Sequence, residues 1–259
     1  MNRYPPERIV CLTEETVETL YLLGEQERIV GVTGFAVRPP EVRQEKPRVG
    51  AFTTADVPGI KALEPDLVLT FSDLQAPIVE ALIREGIAVH AFNQRSIAGI
   101  LAMIRTLGAL VGTPQRANDL ADELGARVER VREQNRSERP VRVYFEEWDD
   151  PMITGIGWVS ELVRVAGGED VFAEAGREQG ATQRMVTSEA VIEAAPDVII
   201  GSWCGKKLRP ERIAGRAGWH AIPAVSKSRI HEIKSPLILQ PGPAALTDGL
   251  DALVAAVHG

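Results

Sequence analysis

One pattern occurs twice in this chain, half a chain apart. The segments Ile60-Lys61-Ala62-Leu63-Glu64-Pro65-Asp66-Leu67-Val68-Leu69-Thr70 and Val191-Ile192-Glu193-Ala194-Ala195-Pro196-Asp197-Val198-Ile199-Ile200-Gly201 share one order: an apolar helix end, a Pro-Asp turn and an uninterrupted apolar strand. Proline stops a helix and fixes the turn, so the strand start is set by the same two residues in both copies. A strand that is apolar throughout has to be covered on both faces, which is the situation of a parallel sheet packed between helices. Two copies therefore predict two related lobes, each α/β.

Between the copies lies the longest helical tract. Ile97, Ile100, Leu101, Ile104, Leu107 and Leu110 mark one apolar face, Gly112 ends that helix, and Thr113-Pro114 reads as an N-cap followed by proline at the first helical position. The next helix is expected from Pro114 to Gln134, with Ala117, Leu120, Ala121, Leu124, Val128 and Val131 at helical spacing. At 1.5 Å per residue it is roughly 30 Å long, enough to bridge two lobes. The chain opens in the β-then-α order, with Ile9 to Leu12 as a strand, Thr13 as a cap, a helix over Thr16 to Leu23 ending at Gly24, and a second strand at Ile29 to Val32. Pro140 leads into a strand from Val141 to Phe145. The expected fold class is α/β, with two Rossmann-like lobes, parallel-type sheets and one long rigid helix joining them, and a ligand cleft between the lobes. The expected division is 1–112 for the first lobe, 113–139 for the bridge and 140–259 for the second lobe.

Composition narrows the partners. With 44% hydrophobic and 25% charged residues the 259-residue chain has the makings of a packed core, and its net charge of −7 comes without a Lys/Arg stripe of the kind that tracks nucleic-acid phosphates. No stretch has the roughly 20 apolar residues that span a bilayer. The N-terminus runs through Pro5-Pro6-Glu7-Arg8 into the first strand without a signal-type apolar region, so the sequence as written predicts a cytoplasmic protein, or a periplasmic or cell-surface one if a native leader precedes it. Cys11 and Cys204 are too few and too far apart for a disulfide framework or a metal-ligand spacing.

These segments, taken together, resemble the substrate-binding proteins of ABC transporters for vitamin B12, iron siderophores and haem, whose two lobes are joined by a single rigid helix. The resemblance runs through Ile9-Val10-Cys11-Leu12-Thr13-Glu14-Glu15-Thr16-Val17-Glu18, Leu63-Glu64-Pro65-Asp66-Leu67-Val68, Trp158 to Gly168, Trp219-His220-Ala221-Ile222-Pro223-Ala224-Val225 and Pro241-Gly242-Pro243 with its following helix. It is strongest toward the vitamin B12-binding branch, through Arg48-Val49-Gly50-Ala51-Phe52 and Glu146-Glu147-Trp148-Asp149-Asp150-Pro151. It implies a monomeric, non-enzymatic binder with cobalamin or another corrinoid as ligand, no required cofactor, and an ABC transporter permease as a possible partner. Two features depart from the family: no secretion signal is evident, and the family's usual arginine near Pro-Gly-Pro is replaced by Gln240 and Ala244. Iron-siderophore or haem binding, and an enzyme on the same scaffold, remain open beside the corrinoid reading.

Ligand contacts in such sheets belong on the loops beyond the strands' carboxyl ends. That selects Glu15, Phe35, Phe52 and Ser72 in the first lobe, and Trp148, Trp158, Trp203 and Cys204 in the second. Aromatic faces suit a flat macrocycle; a thiol on a cleft loop suits a metal. Two close acid pairs, Glu14-Glu15 and Asp149-Asp150, read as solvated charge, because neighbours on a loop point apart. No nucleophile elbow, phosphate loop or paired acid and base has its required context. The four histidines, His90, His220, His231 and His258, show no helical metal-site spacing.

Overall fold

The computed structural model describes residues 4–259, which divide into two compact units. One unit runs up to Gln94 and resumes over Ala98–Glu123; the other takes Arg95–Ile97 and Leu124–Gly259. The helix Pro114–Gln134 has the bounds its capping signals predict, yet it is not a separate bridging segment: it is shared, its first half belonging to one unit and its second half to the other. Expected lobe boundaries at 112 and 140 are thus replaced by a boundary inside the helix.

The first unit is built on a four-stranded parallel sheet in the order β2-β1-β3-β4, with β1 at Ile9–Cys11, β2 at Ile29–Val32, β3 at Leu67–Phe71 and β4 at Val89–Phe92. The anticipated Pro-Asp entry is held by Asp66, whose Oδ2 accepts the backbone N–H groups of Glu7 and Arg8 at 3.0 and 3.1 Å and so sets β3 against β1. Val10, Leu12 and Val68 pack on one sheet face against Ile60, Ile78 and Leu82. Gly108 in the helix Ile97–Leu110 approaches Ala117 so closely that an added Cβ would lie 2.1 Å from the alanine methyl, which is how that helix and the start of the shared one pack together.

In the second unit β5 (Val141–Asp149) is flanked by β8 (Val198–Gly201) on one side and on the other by β7 (Gly168–Asp170) and β6 (Met152–Thr154), with β9 (Ile230–Glu232) beyond β8. All pairs are parallel except β5 with β6. The Pro-Asp logic repeats here: Asp197 Oδ2 accepts the Arg142 N–H at 3.2 Å, placing β8 on β5. One expectation changes, because β5 does not end at Phe145. Its apolar half is buried in the sheet, and its polar half continues to Asp149 because a tight turn returns the chain as β6, with Asp149 opposite Met152. No helix among the described residues is long and apolar enough to cross a membrane.

Candidate functional site

Every strand of the first unit is parallel, so the loops after β1, β2 and β3 emerge at one edge of the sheet. Gln75 organises that edge. Its buried side chain donates from Nε2 to the carbonyls of Leu12 (3.0 Å) and Phe52 (2.8 Å) and accepts the Phe71 N–H on Oε1 (3.0 Å), tying three loops together. Phe52 is half-buried at the tip of a tight loop in which the Ala51 N–H donates to the Thr54 carbonyl at 2.8 Å. Phe35, in the turn after β2, is 41% exposed. Ser72 follows β3 with φ of +65°, a left-handed conformation that costs a non-glycine residue about 1–3 kcal/mol and recurs at ligand-binding loops; its hydroxyl caps the next turn through the Leu74 N–H.

Glu15 does not behave as solvated charge. It lies in the first turn of the helix Glu14–Leu22, is 1% exposed, and its Oε1 has no hydrogen-bond partner among the described residues. Burial pushes its carboxyl up to about 7, outweighing the hydrogen bond from Thr13 that pulls it down. Glu14 beside it is half-buried and also raised, by burial and then by Glu15. The sequence placed both at the right edge but misjudged their solvation, because helix packing turns one of the two side chains inward.

The second unit's edge carries a charged network. Glu146, fully buried, accepts from the guanidinium of Arg216 at 2.5 and 2.9 Å, from the Tyr144 hydroxyl at 3.0 Å and from the Trp203 indole N–H at 3.1 Å. Arg184, buried as well, forms a bidentate pair with Glu147 and donates to the Thr154 carbonyl at 2.7 Å. Asp149 is buried and holds Lys206; burial would raise the Asp149 carboxyl, but the Lys206 ammonium overcomes this and keeps it below its usual value.

Four candidates of the second unit separate accordingly. Trp148 lies within β5 rather than on a loop, half-buried, its indole N–H donating to the Asp150 carbonyl at 2.9 Å and the Lys206 ammonium 4.2 Å above its ring. Cys204 is exposed on the loop after β8, whereas Cys11 is buried, its thiol pushed up to about 12 by the loss of solvent. Trp203 is 3% exposed and packs with Tyr144, Leu208 and Trp219. Trp158 is equally buried inside the helix Gly157–Val165, its N–H donating to the Ile238 carbonyl at 2.9 Å. Both rings are core members, which corrects their assignment to the ligand face. Gln75, Glu146, Arg184 and Arg216 are the edge residues that sequence reasoning missed, whereas Lys206 falls on the loop after Ile200 that the sequence selects. No cluster of three or more His, Cys, Asp or Glu able to hold a metal occurs among the described residues.

Comparison with known proteins agrees with this architecture. A family profile described as periplasmic binding protein matches residues 9–237. The vitamin B12-binding protein of Vibrio cholerae is 25% identical over 250 residues, covering 94% of this chain and 86% of the relative. An uncharacterized ABC transporter substrate-binding lipoprotein of Bacillus subtilis is 26% identical over 263 residues, covering 98% of this chain and 80% of its own. Among solved structures, the periplasmic haem-binding protein RhuT from Roseiflexus superposes with a TM-score of 0.83 at 27% identity, covering 97% of this chain and 99% of that one. The periplasmic vitamin B12 binding protein BtuF of Vibrio cholerae superposes with a TM-score of 0.78 at 24% identity, over 98% and 97% of the two chains, a likeness of fold.

Proposed function

Because the chain belongs to the periplasmic binding protein family, matched over residues 9–237, we propose that it is a non-enzymatic binder of a corrinoid, with cobalamin as the first candidate and haem or a ferric siderophore as the alternative. The observation that carries the reading is Trp148. A half-buried indole at the carboxyl edge of β5, with its N–H already satisfied by Asp150, offers the bound molecule an apolar ring rather than a hydrogen-bond donor. In the first unit, Phe52 and Phe35 place aromatic surface on the loops at the carboxyl edge of its own sheet. The names of the relatives, vitamin B12-binding and haem-binding proteins, support a metal-bearing macrocycle as the ligand class.

The protein acts as a monomer that delivers its ligand to an ABC transporter permease, in the compartment outside the cytoplasmic membrane that its relatives' names give. Cell fractionation tests the last point: recovery from the cytosol instead would make it a carrier without a transporter. The binding itself is tested by titrating the purified protein with cobalamin, cobinamide, haem and a ferric siderophore while following visible absorbance and tryptophan fluorescence. A saturable response to at least one is expected, and silence from all four would end the proposal. Trp148→Ala should weaken that binding roughly tenfold or more, in line with the 1–3 kcal/mol of a buried aromatic anchor, and an unchanged affinity would remove Trp148 from the site.

A further inference from the structure

The loop after β8 is fixed at both of its ends. Two buried anchors hold it. Trp203 at its start is fixed in the core by its N–H to Glu146. Leu208 at its end sits over Gly201, where any side chain would collide with the leucine methyl at 1.9 Å, and its own N–H donates to Glu232 Oε1 at 3.0 Å. Between the anchors the tip turns through Gly205 at φ of +73° with open space around it.

That tip and the residues after it are cationic. Lys206, Lys207, Arg209, Arg212 and Arg216 fall in one segment, against Glu211 as its single carboxylate. Arg216 is committed to Glu146, and Lys206 to Asp149 with the rings of Trp148 and Trp203 at 4.2 and 5.1 Å from its ammonium. Arg212 stands 3.9 Å from Asp149, a carboxylate already taken by Lys206. Lys207 and Arg209 are exposed and have no ion-pair partner among the described residues. Counted against Glu211, Glu146, Asp149 and the Glu232 carboxylate at the Leu208 N–H, the five cations of the segment leave a surplus of one, with Lys207 and Arg209 exposed on a pre-formed loop beside the Trp148 ring, in a chain whose net charge is −7. Excess charge of one sign at a rigid edge focuses an oppositely charged group, and lysine and arginine serve phosphate and carboxylate alike.

We propose that the Lys206-to-Arg209 tip is an anion subsite, receiving an ionised phosphate or carboxylate that the ligand carries beyond its macrocycle. The proposal rests on the ligand-binding reading above for its biological ligand, though not for its test. Lys206, held against Trp148, sits where ring and anion meet; Lys207 and Arg209 supply the charge that is not already neutralised.

The probes are inorganic pyrophosphate, followed by calorimetry, and the pair cobalamin and cobinamide, which differ by the phosphate-bearing nucleotide loop; haem, with two carboxylates, distinguishes a carboxylate source. The variant carries Lys207→Gln with Arg209→Gln, both exposed positions, and Lys227→Gln, exposed on the turn before β9, removes a cation elsewhere as the control. The double variant should bind pyrophosphate, and cobalamin or haem, roughly three- to tenfold more weakly while cobinamide is unaffected and the control binds as the parent does. If none of the chelates binds the parent yet pyrophosphate does and is lost in the double variant, the ligand reading fails and the subsite stands. If a chelate binds but neither pyrophosphate affinity nor the preference for cobalamin over cobinamide responds to the double variant, the subsite is overturned and the ligand reading stands. A parent that binds neither pyrophosphate nor any chelate overturns both.

Discussion

A carboxyl oxygen with no partner, inside a folded protein, is costly in its charged form, and Glu15 lowers that cost by keeping its proton. Its folded value near 7 stands above the ordinary 4.5, so between those limits the native state holds a proton that the unfolded chain has released. The stabilisation is complete below about pH 4.5 and is lost as pH rises through 7, amounting to about 3 kcal/mol for this one group. Glu15→Gln, which cannot ionise, should match the parent's unfolding free energy near pH 4 and exceed it near pH 8. Urea unfolding of both proteins at pH 4, 6 and 8 measures this, and two parallel pH profiles would show that Glu15 is hydrated in solution. At this scale the sequence was informative about position and poor about environment. Thr13, Glu14 and Glu15 follow an apolar strand, which identifies the edge, but nothing local distinguishes a buried acid from a solvated one. The same holds for Glu146, whose principal partner, Arg216, is 70 positions away.

Elements were more legible than residues where two local signals agreed. The helix Pro114–Gln134 combines a cap, an N1 proline and apolar spacing, and its bounds are those the sequence predicts. Strands β3 and β8 follow their Pro-Asp turns as expected. The extent of β5 was not legible, because Glu146-Glu147-Trp148-Asp149 carries no apolar alternation, and beyond Glu146, which still pairs with Gly201 of β8, it is strand through its pairing with β6. Trp203 and Leu208 show the same dependence on tertiary packing: a loop by composition is clamped by two side chains that enter the core. Gly201 is the element-scale test of that clamp. Gly201→Ala puts a methyl where Leu208 lies, so the leucine must leave, and overpacking of this kind costs about 1–3 kcal/mol. The variant should unfold at lower urea and its loop should become a preferred protease site at Lys206 or Lys207, read by limited trypsin digestion of the folded protein. Unchanged stability and cleavage would mean that Leu208 relocates without strain and that the loop is not clamped.

At the scale of the molecule, the repeated Pro-Asp motif correctly implied two α/β units, while the boundary between them escaped the sequence because it falls within one uninterrupted helical pattern. The helix buries Ala117 and Ala121 in its first half and Leu124 and Val128 in its second, so both units depend on the same helix for part of their cores. Gly125, just beyond the division, is the weakest helix former in the interior of that helix. A helix continuous across the boundary frays from whichever half loses its packing, so the unfolding of one unit weakens the helical half that belongs to the other and couples the two transitions. All four tryptophans lie in the second unit, so their fluorescence reports that unit alone, whereas far-ultraviolet circular dichroism reports both. In the parent the two signals should therefore trace a single urea transition. Glu123→Pro changes an exposed side chain at the boundary and breaks the helix there, at about 3 kcal/mol. With the halves uncoupled, the dichroism and fluorescence midpoints should separate, one unit unfolding before the other. Coincident midpoints in the variant would show that contacts other than the helix hold the two units to one transition, and separated midpoints already present in the parent would show that the shared helix does not couple them.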